Sequence, residues 1–525
     1  MTQSKSSLTA IGAAVALTAA LLAAPMVSQA AANDRVRVIV AYKSDASLAV
    51  RAIVAKLGGQ TLVDLSEADA VAVSLPRSAL AALKAAKGID FVEDDVLRHV
   101  DRIKTQRTTR TTAVAGTQVT PYGITQVQAD QISGTPLWTP KVCIVDSGID
   151  GSHEDLAGNT LAGKNITTSG TWDTDEGAHG THVAGTVAAL NNSVGVIGVT
   201  GNKQLSLYIS KVFDASGSAS ASTVAKGILA CGRAKANVIS MSLGSASNSI
   251  LEQRVLDRLA AKGVLLVAAA GNTGLNEDHY PAGLASVMSV AANDAAEQWA
   301  TFSTFNADVE ISAPGVAVLS TVPLGSQTGA TTTVGASAYP VNAMDGSPRI
   351  SATGPLADFG LGDTPAAGSM TGKVCLISRG TISFSDKVLN CQTSGGIGAV
   401  IYNNAAGELF GTLGGVATTI PSVGALQSDG ALMLGQVGTS TTVAVFGTPD
   451  LYAEFNGTSM ATPHVSAVAA LVWSYYPACT AEQIRSTLKL SAKDIGDVGR
   501  DDKTGAGIVQ AKAAFDRIAT LGCGL

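Results

Sequence analysis

The sequence predicts an α/β protein: a parallel sheet flanked by helices, preceded by a small α+β unit and interrupted by a β-rich insert. Three observations carry this. From Pro121 onward, largely apolar runs at 141–145, 236–241 and 263–270 alternate with helical patterns, as strands buried on both faces require. Each run ends in polar or glycine residues: Asp146, then Ser242-Leu243-Gly244, then Gly271-Asn272. Between about 325 and 447 the chain turns to Gly, Thr, Ala and Val in short strand-like runs, and the earlier character returns at Tyr452. Open α/β sheets build their sites at the carboxyl ends of strands, so these three strands should converge on one crevice.

In chain order, Lys5 precedes an Ala/Leu-rich run over 8–26 and then Val27-Ser28-Gln29-Ala30. Small residues at Ser28 and Ala30 predict a signal peptide over 1–30, cleaved after Ala30, and hence an exported protein. Residues 31–105 read βαββαβ: alternation over 35–42, a helical stretch ended by Gly58-Gly59, strand-like runs near Leu62 and 71–75, a helix stopped by Gly88, and a last strand at 89–92. Between Arg98 and Thr120 the apolar pattern vanishes, with Lys104, Arg107 and Arg110 among Thr and Gln. This reads as a solvated, cleavable linker, placed at 106–116. A small folded unit before such a linker suggests a zymogen prosegment. The remainder, 117–525, is one unit interrupted by an insert at 325–447, a position surface loops tolerate.

The composition, 46% hydrophobic and 14% charged, suits a large buried core. A net charge of −6 without a basic stripe speaks against a nucleic-acid partner. No second long apolar span follows, so no membrane association is expected after signal cleavage. Six cysteines fit paired thiols in an oxidising compartment.

The chemistry concentrates in Asn456-Gly457-Thr458-Ser459-Met460-Ala461-Thr462-Pro463-His464. An apolar helical run follows, with Val465, Val468, Leu471 and Val472, and Pro477 marks its end. Pro463 is expected in the first helical turn. Alone, Ser459 reads as a helix N-cap. With a tight turn before it and a helix dipole beneath, it is also a seat for a nucleophile. Far upstream, His179-Gly180-Thr181-His182 opens another apolar helix. A zinc helix would need an acid between its histidines, and none is present.

Together, Asp146-Ser147-Gly148, His179-Gly180-Thr181-His182 and Gly457-Thr458-Ser459-Met460-Ala461 resemble the three signatures of the subtilisin-like serine proteases, in that family's Asp…His…Ser order. The resemblance covers roughly 117–323 and 449–520. An α/β-hydrolase esterase wants Gly-x-Ser-x-Gly, and position 461 is Ala. The family implies a subtilisin-like sheet and a serine endopeptidase acting on proteins or peptides: Ser459 attacks, His179 moves the proton and Asp146 orients the imidazole. Asn272 matches the oxyanion donor, beside the Ser459 N–H. Ser242-Leu243-Gly244 and Gly217-Ser218-Ala219 resemble the two edges between which a substrate pairs as a strand. Ala221 stands where relatives often carry an aromatic, predicting an open fourth subsite. Thr273 and His279 fall near the rim and floor of the first pocket.

The resemblance also implies a structural calcium ion held by Gln118, Asp155, Asn192 and the carbonyls of Leu190, Val194 and Val196. Retaining Gln118 puts the mature start at or before Thr117. The 31–105 unit resembles the subtilisin propeptide, an α+β (ferredoxin-like) inhibitor that lays its tail in the cleft. The enzyme is thus expected to be secreted, processed from its own propeptide and monomeric. The 372–404 region resembles a protease-associated domain, with Asp386 and Lys387 expected on its surface. Spacing leaves several disulfide connectivities open; Cys143 with Cys231, Cys375 with Cys391 and Cys479 with Cys523 are the candidate pairs.

Overall fold

The computed structural model describes residues 34–100, 117–201 and 205–524. The signal peptide expected over 1–30 and the linker expected over 106–116 lie outside the described residues. Among the described residues no helix is long and apolar enough to cross a membrane.

The centre is a seven-stranded parallel sheet in the order Val309–Pro314, Met288–Asn293, Leu265–Ala269, Val238–Met241, Lys141–Asp146, Ser206–Lys211, Thr160–Asn165. Successive side chains of a strand face opposite ways, so an apolar run serves two cores. Val142 and Ile144 pack with the helices His179–Ala188 and Thr458–Tyr475, whereas Cys143 and Val145 pack with Ala221–Arg233 and Ile250–Ala260. The helix Thr458–Tyr475 is buried along its whole length. That explains a pattern apolar nearly all round rather than a stripe.

The N-terminal unit has the predicted βαββαβ order. Its antiparallel sheet runs Gln60–Leu65, Ala70–Pro76, Arg35–Tyr42, Ile89–Asp94. Again one strand serves two cores: Val38 and Val40 face the unit's own helices, while Ile39 and Ala41 pack with residues of Ala221–Arg233 and Ile250–Ala260. The solvated stretch expected from Arg98 onward starts too early. Residues Leu97–Val100 form a strand, and Arg98 is fully buried because its charge finds a carboxylate.

The insert holds an eight-stranded mixed sheet with helices Phe384–Thr393 and Gln427–Leu434. Its first strand, Thr328–Val334, pairs antiparallel with its last, Ser440–Gly447. Just inside the larger unit, Val318–Thr321 pairs with Tyr452–Phe455. The chain therefore leaves and returns through adjacent strands. Asp386 is exposed as expected, but Lys387 is buried, its stem in the core and its amine donating to the Leu361 carbonyl. Long aliphatic stems allow that when the head finds an acceptor. All three candidate disulfides form: Cys143–Cys231, Cys375–Cys391 and Cys479–Cys523.

Candidate active site

Asp146 ends its strand and His179 begins its helix, both essentially buried. The two Asp146 carboxylate oxygens lie 2.8 and 3.0 Å from His179 Nδ1, and the Ser147 N–H donates to Oδ1 at 2.7 Å. This fixes the tautomer: Nδ1 carries the hydrogen and Nε2 is the basic lone pair. Nε2 has no hydrogen-bond partner among the described residues. The start of the histidine helix is held by Asp175, which accepts from the Thr181 N–H at 2.8 Å, the Thr181 hydroxyl at 2.7 Å and the Ser147 hydroxyl at 2.8 Å. Gly180 has to be glycine, since a Cβ there would stand 2.1 Å from the Gly148 carbonyl oxygen.

Ser459 is the second residue of its helix, after Gly457 at φ +144°, a backbone shape that glycine alone adopts without strain. Its hydroxyl does not reach His179 here. It donates to the Ser242 carbonyl at 3.0 Å, while the Ser242 hydroxyl donates to the Ser459 carbonyl at 2.8 Å. Pro463 explains the second bond. It sits well inside the helix rather than in its first turn, and its missing N–H would have served Ser459, four residues back. The Ser242 hydroxyl satisfies that orphan carbonyl. The hydrogen-bonded row that the expected roles of the three residues require is therefore half formed, joined at Asp146–His179 and open at Ser459.

Asn272 follows the end of the next strand. Its side-chain oxygen accepts from the Thr458 N–H at 2.9 Å and the Thr458 hydroxyl at 3.1 Å. A backbone N–H can only donate, so the amide oxygen is pinned inward and the NH2 is left to donate. The Ser459 N–H lies in the unpaired first turn of its helix.

The predicted substrate edges form the outer strands of a three-stranded sheet, with Leu97–Val100 between them. Leu243 faces Val100 and Gly244 faces His99 on one side, with Ala219 facing Arg98 and Ser218 facing His99 on the other. Gly217 adds its carbonyl to the Val100 N–H at 3.1 Å. His279, expected near the floor of the first pocket, stands against Gly244 and Gly271: a Cβ on Gly244 would lie 2.2 Å from its Nε2, and one on Gly271 2.8 Å from its Nδ1.

At the candidate calcium site, Gln118 Nε2 faces the carbonyls of Leu190 (2.6 Å), Val194 (3.2 Å) and Val196 (3.2 Å) and the Asn192 side-chain oxygen (3.5 Å). Asp155 adjoins them through Asn192 Nδ2 at 2.9 Å and the Val196 N–H at 2.9 Å. Four oxygens converge on a group with two hydrogens. Such an excess of hard donors fits a hard cation.

The subtilase family model matches residues 139–347 and 430–507, spans that contain Asp146, His179, Ser459 and Asn272. The chain is a subtilase. A model of the PA domain matches residues 351–433, within the insert. Subtilisin amylosacchariticus of Bacillus subtilis subsp. amylosacchariticus is 36% identical over 281 residues, 52% of this chain and 69% of that protein. Subtilisin DY of Bacillus licheniformis is 42% identical over 217 residues, 40% of this chain and 78% of that protein. The crystal structure of the psychrophilic subtilisin-like protease Apa1 from Pseudoalteromonas sp. AS-11 aligns with TM-score 0.54 at 38% identity, over 78% of this chain and all of that one. Fervidolysin from Fervidobacterium pennivorans shares the fold, with TM-score 0.57 at 22% identity over 92% of this chain and 61% of that one. This subtilase is accordingly a serine endopeptidase.

Sequence reading missed four carboxylates of the subtilase. Asp175 was signalled only by the acidic run before the histidine helix. Glu93 and Asp95 cap the helices Ile250–Ala260 and Ala221–Arg233: Glu93 accepts from the Ile250 N–H at 2.7 Å and the Leu251 N–H at 3.0 Å, and Asp95 from the Ser222 N–H at 2.8 Å. Glu252 is fully buried beneath the central strand of the groove. No local pattern marks it.

Proposed function

We propose that this subtilase is an exported endopeptidase, made as a zymogen that its N-terminal unit holds closed, which cleaves protein substrates through Ser459, His179 and Asp146. The observation that supports the reading most is the buried Asp146–His179 pair, which leaves Nε2 as a base without a hydrogen-bond partner among the described residues, with Ser459 at the start of the helix that packs against the histidine helix. For reaction the Ser459 hydroxyl leaves the Ser242 carbonyl and turns to His179 Nε2. As Oγ attacks the peptide carbonyl, Nε2 takes the hydroxyl proton. Asp146, already bound to Nδ1, stabilises the imidazolium without taking a proton itself. The Asn272 amide and the Ser459 N–H donate to the developing oxyanion. Nε2 then protonates the leaving amine, the acyl chain stays on Ser459, and water attacks it by the same proton route.

Leu97–Val100 lies as an extended substrate would, which supports the reading of 31–105 as a propeptide inhibitor. Gln118, Asp155, Asn192 and the carbonyls of Leu190, Val194 and Val196 would hold a calcium ion, which supplies stability and takes no part in the proton transfers. The test is labelling with a fluorophosphonate after release of the N-terminal unit, followed by mapping of the modified peptide. Modification of Ser459, lost in Ser459→Ala, is expected. Labelling elsewhere, or none alongside full activity, would overturn the assignment.

A further inference from the structure

Arg98 is the one side chain of the central groove strand that points wholly inward. Leu97 and His99 beside it are exposed, while Arg98 is 0% and Glu252 1% accessible. Four of the five N–H groups of the Arg98 guanidinium have acceptors. Nε and Nη2 donate to Glu252 Oε2 at 3.0 and 2.5 Å, and Nη1 donates to the Ser245 hydroxyl and the Ser247 carbonyl, both at 2.7 Å. All three acceptors belong to the catalytic unit and stay behind when the strand leaves. Burial pushes the Glu252 carboxyl up, and the Arg98 charge pulls it back. Glu252 Oε1 has no hydrogen-bond partner among the described residues. A carboxylate so placed is costly unless a cation is hydrogen-bonded to it.

The register says which substrate residue would replace Arg98. Gly244 faces His99 and Leu243 faces Val100, so in a substrate strand held in this antiparallel register Ser242 would face the residue three after the one in the place of Arg98. Ser242 touches Ser459, so the residue opposite it is the one whose carbonyl is attacked. Arg98 therefore occupies the place of the fourth residue before the cleaved bond.

We propose that Glu252, with Ser245 and the Ser247 carbonyl, makes this subsite select arginine, so that the substrates are polypeptides carrying arginine at the fourth position before the cleaved bond. The inference rests on the protease reading and on Leu97–Val100 lying along the substrate path. Lysine fits less well. Its single ammonium cannot span a carboxylate on one side and a hydroxyl and carbonyl on the other, as a planar fork does.

The test uses matched quenched-fluorescence peptides with Arg, Lys or Leu at that position, cleaved by the mature enzyme and by its Glu252→Gln variant. The Arg peptide is expected to exceed the Leu peptide in kcat/KM by about tenfold or more, with Lys between, and Glu252→Gln should bring the Arg/Leu ratio to near one. Equal cleavage of all three by the natural enzyme, or an unchanged ratio in the variant, overturns the inference and leaves the protease reading intact. If no peptide is cut and Ser459 is not labelled, both fall. Should Glu252→Gln fail to fold, the natural enzyme's ratio and the arginine content of products from a peptide library decide alone.

Discussion

Which way one amide faces is set, at Asn272, by the two donors of Thr458. Replacing the side chain leaves that anchor unused and removes a donor aimed at charge that exists only in the transition state. Asn272→Ala is therefore expected to lower kcat about 10²–10³-fold with little change in KM, a range taken over from subtilisin's own oxyanion asparagine. Steady-state kinetics checks it, and an unchanged kcat removes the role. His464 gives a second prediction at this scale. It is buried in the serine helix with Nδ1 on the Met460 carbonyl at 2.8 Å, and burial pulls its imidazole down to about 4 against that bond. Its folded value lies below its unfolded one. From about pH 6.5 down to about 4 the unfolded chain thus takes a proton that the fold refuses, and stability is lost over that window, in total about 3 kcal/mol. In a Ser459→Ala background, His464→Gln should lose less melting temperature between pH 7 and pH 4.5 than the parent does. The three residues misjudged from sequence share a cause. Arg98 and Lys387 find acceptors far along the chain, 154 residues away for Glu252, and Pro463 finds its substitute donor in Ser242, 217 residues before Ser459. Local polarity reads as exposure unless the distant partner is known.

Elements were read more reliably, because strand ends carry their own signature. The runs ending at Asp146, Ser242 and Asn272 do meet at one sheet edge, since parallel strands in register must all point their carboxyl ends the same way. What no run displayed is how two units share helices. Glu93 and Asp95 supply the anions for two helix N-termini of a different unit, where free N–H groups and the dipole favour negative charge. In full-length Ser459→Ala protein, Glu93→Gln with Asp95→Asn should weaken that docking by roughly 1 kcal/mol per carboxylate. Hydrogen exchange at Leu97–Val100 should then quicken, while exchange at Lys141–Asp146 stays as it was. Equal protection at Leu97–Val100 would show that the apolar contacts of Ile39 and Ala41 hold the unit unaided.

For the whole molecule, stability is expected to depend on calcium through Gln118 and its ring of oxygens. Ion at about a hundred times its dissociation constant adds roughly 3 kcal/mol, which for a catalytic unit of this size is roughly 5 °C in Tm. Chelator added to the Ser459→Ala protein should lower Tm by that order, and Gln118→Ala should remove most of the response. A chelator without effect would dismiss the ion. Four of the six proposed ligands lie in one short loop, Leu190 to Val196, and the family resemblance supplied Gln118 and Asp155; the arginine slot has no such guide, because its parts lie on separate elements. The insert was legible as a change of composition, though its helices were not.

Because Val318–Thr321 and Tyr452–Phe455 are laced together, the gap that the insert bridges is already shut before the insert begins. The catalytic unit feels only the distance between two neighbouring chain ends, whatever lies beyond them. That makes the site a natural port for grafting: a tight turn or a foreign module of any length fits there without disturbing Ser459, provided its own termini lie side by side.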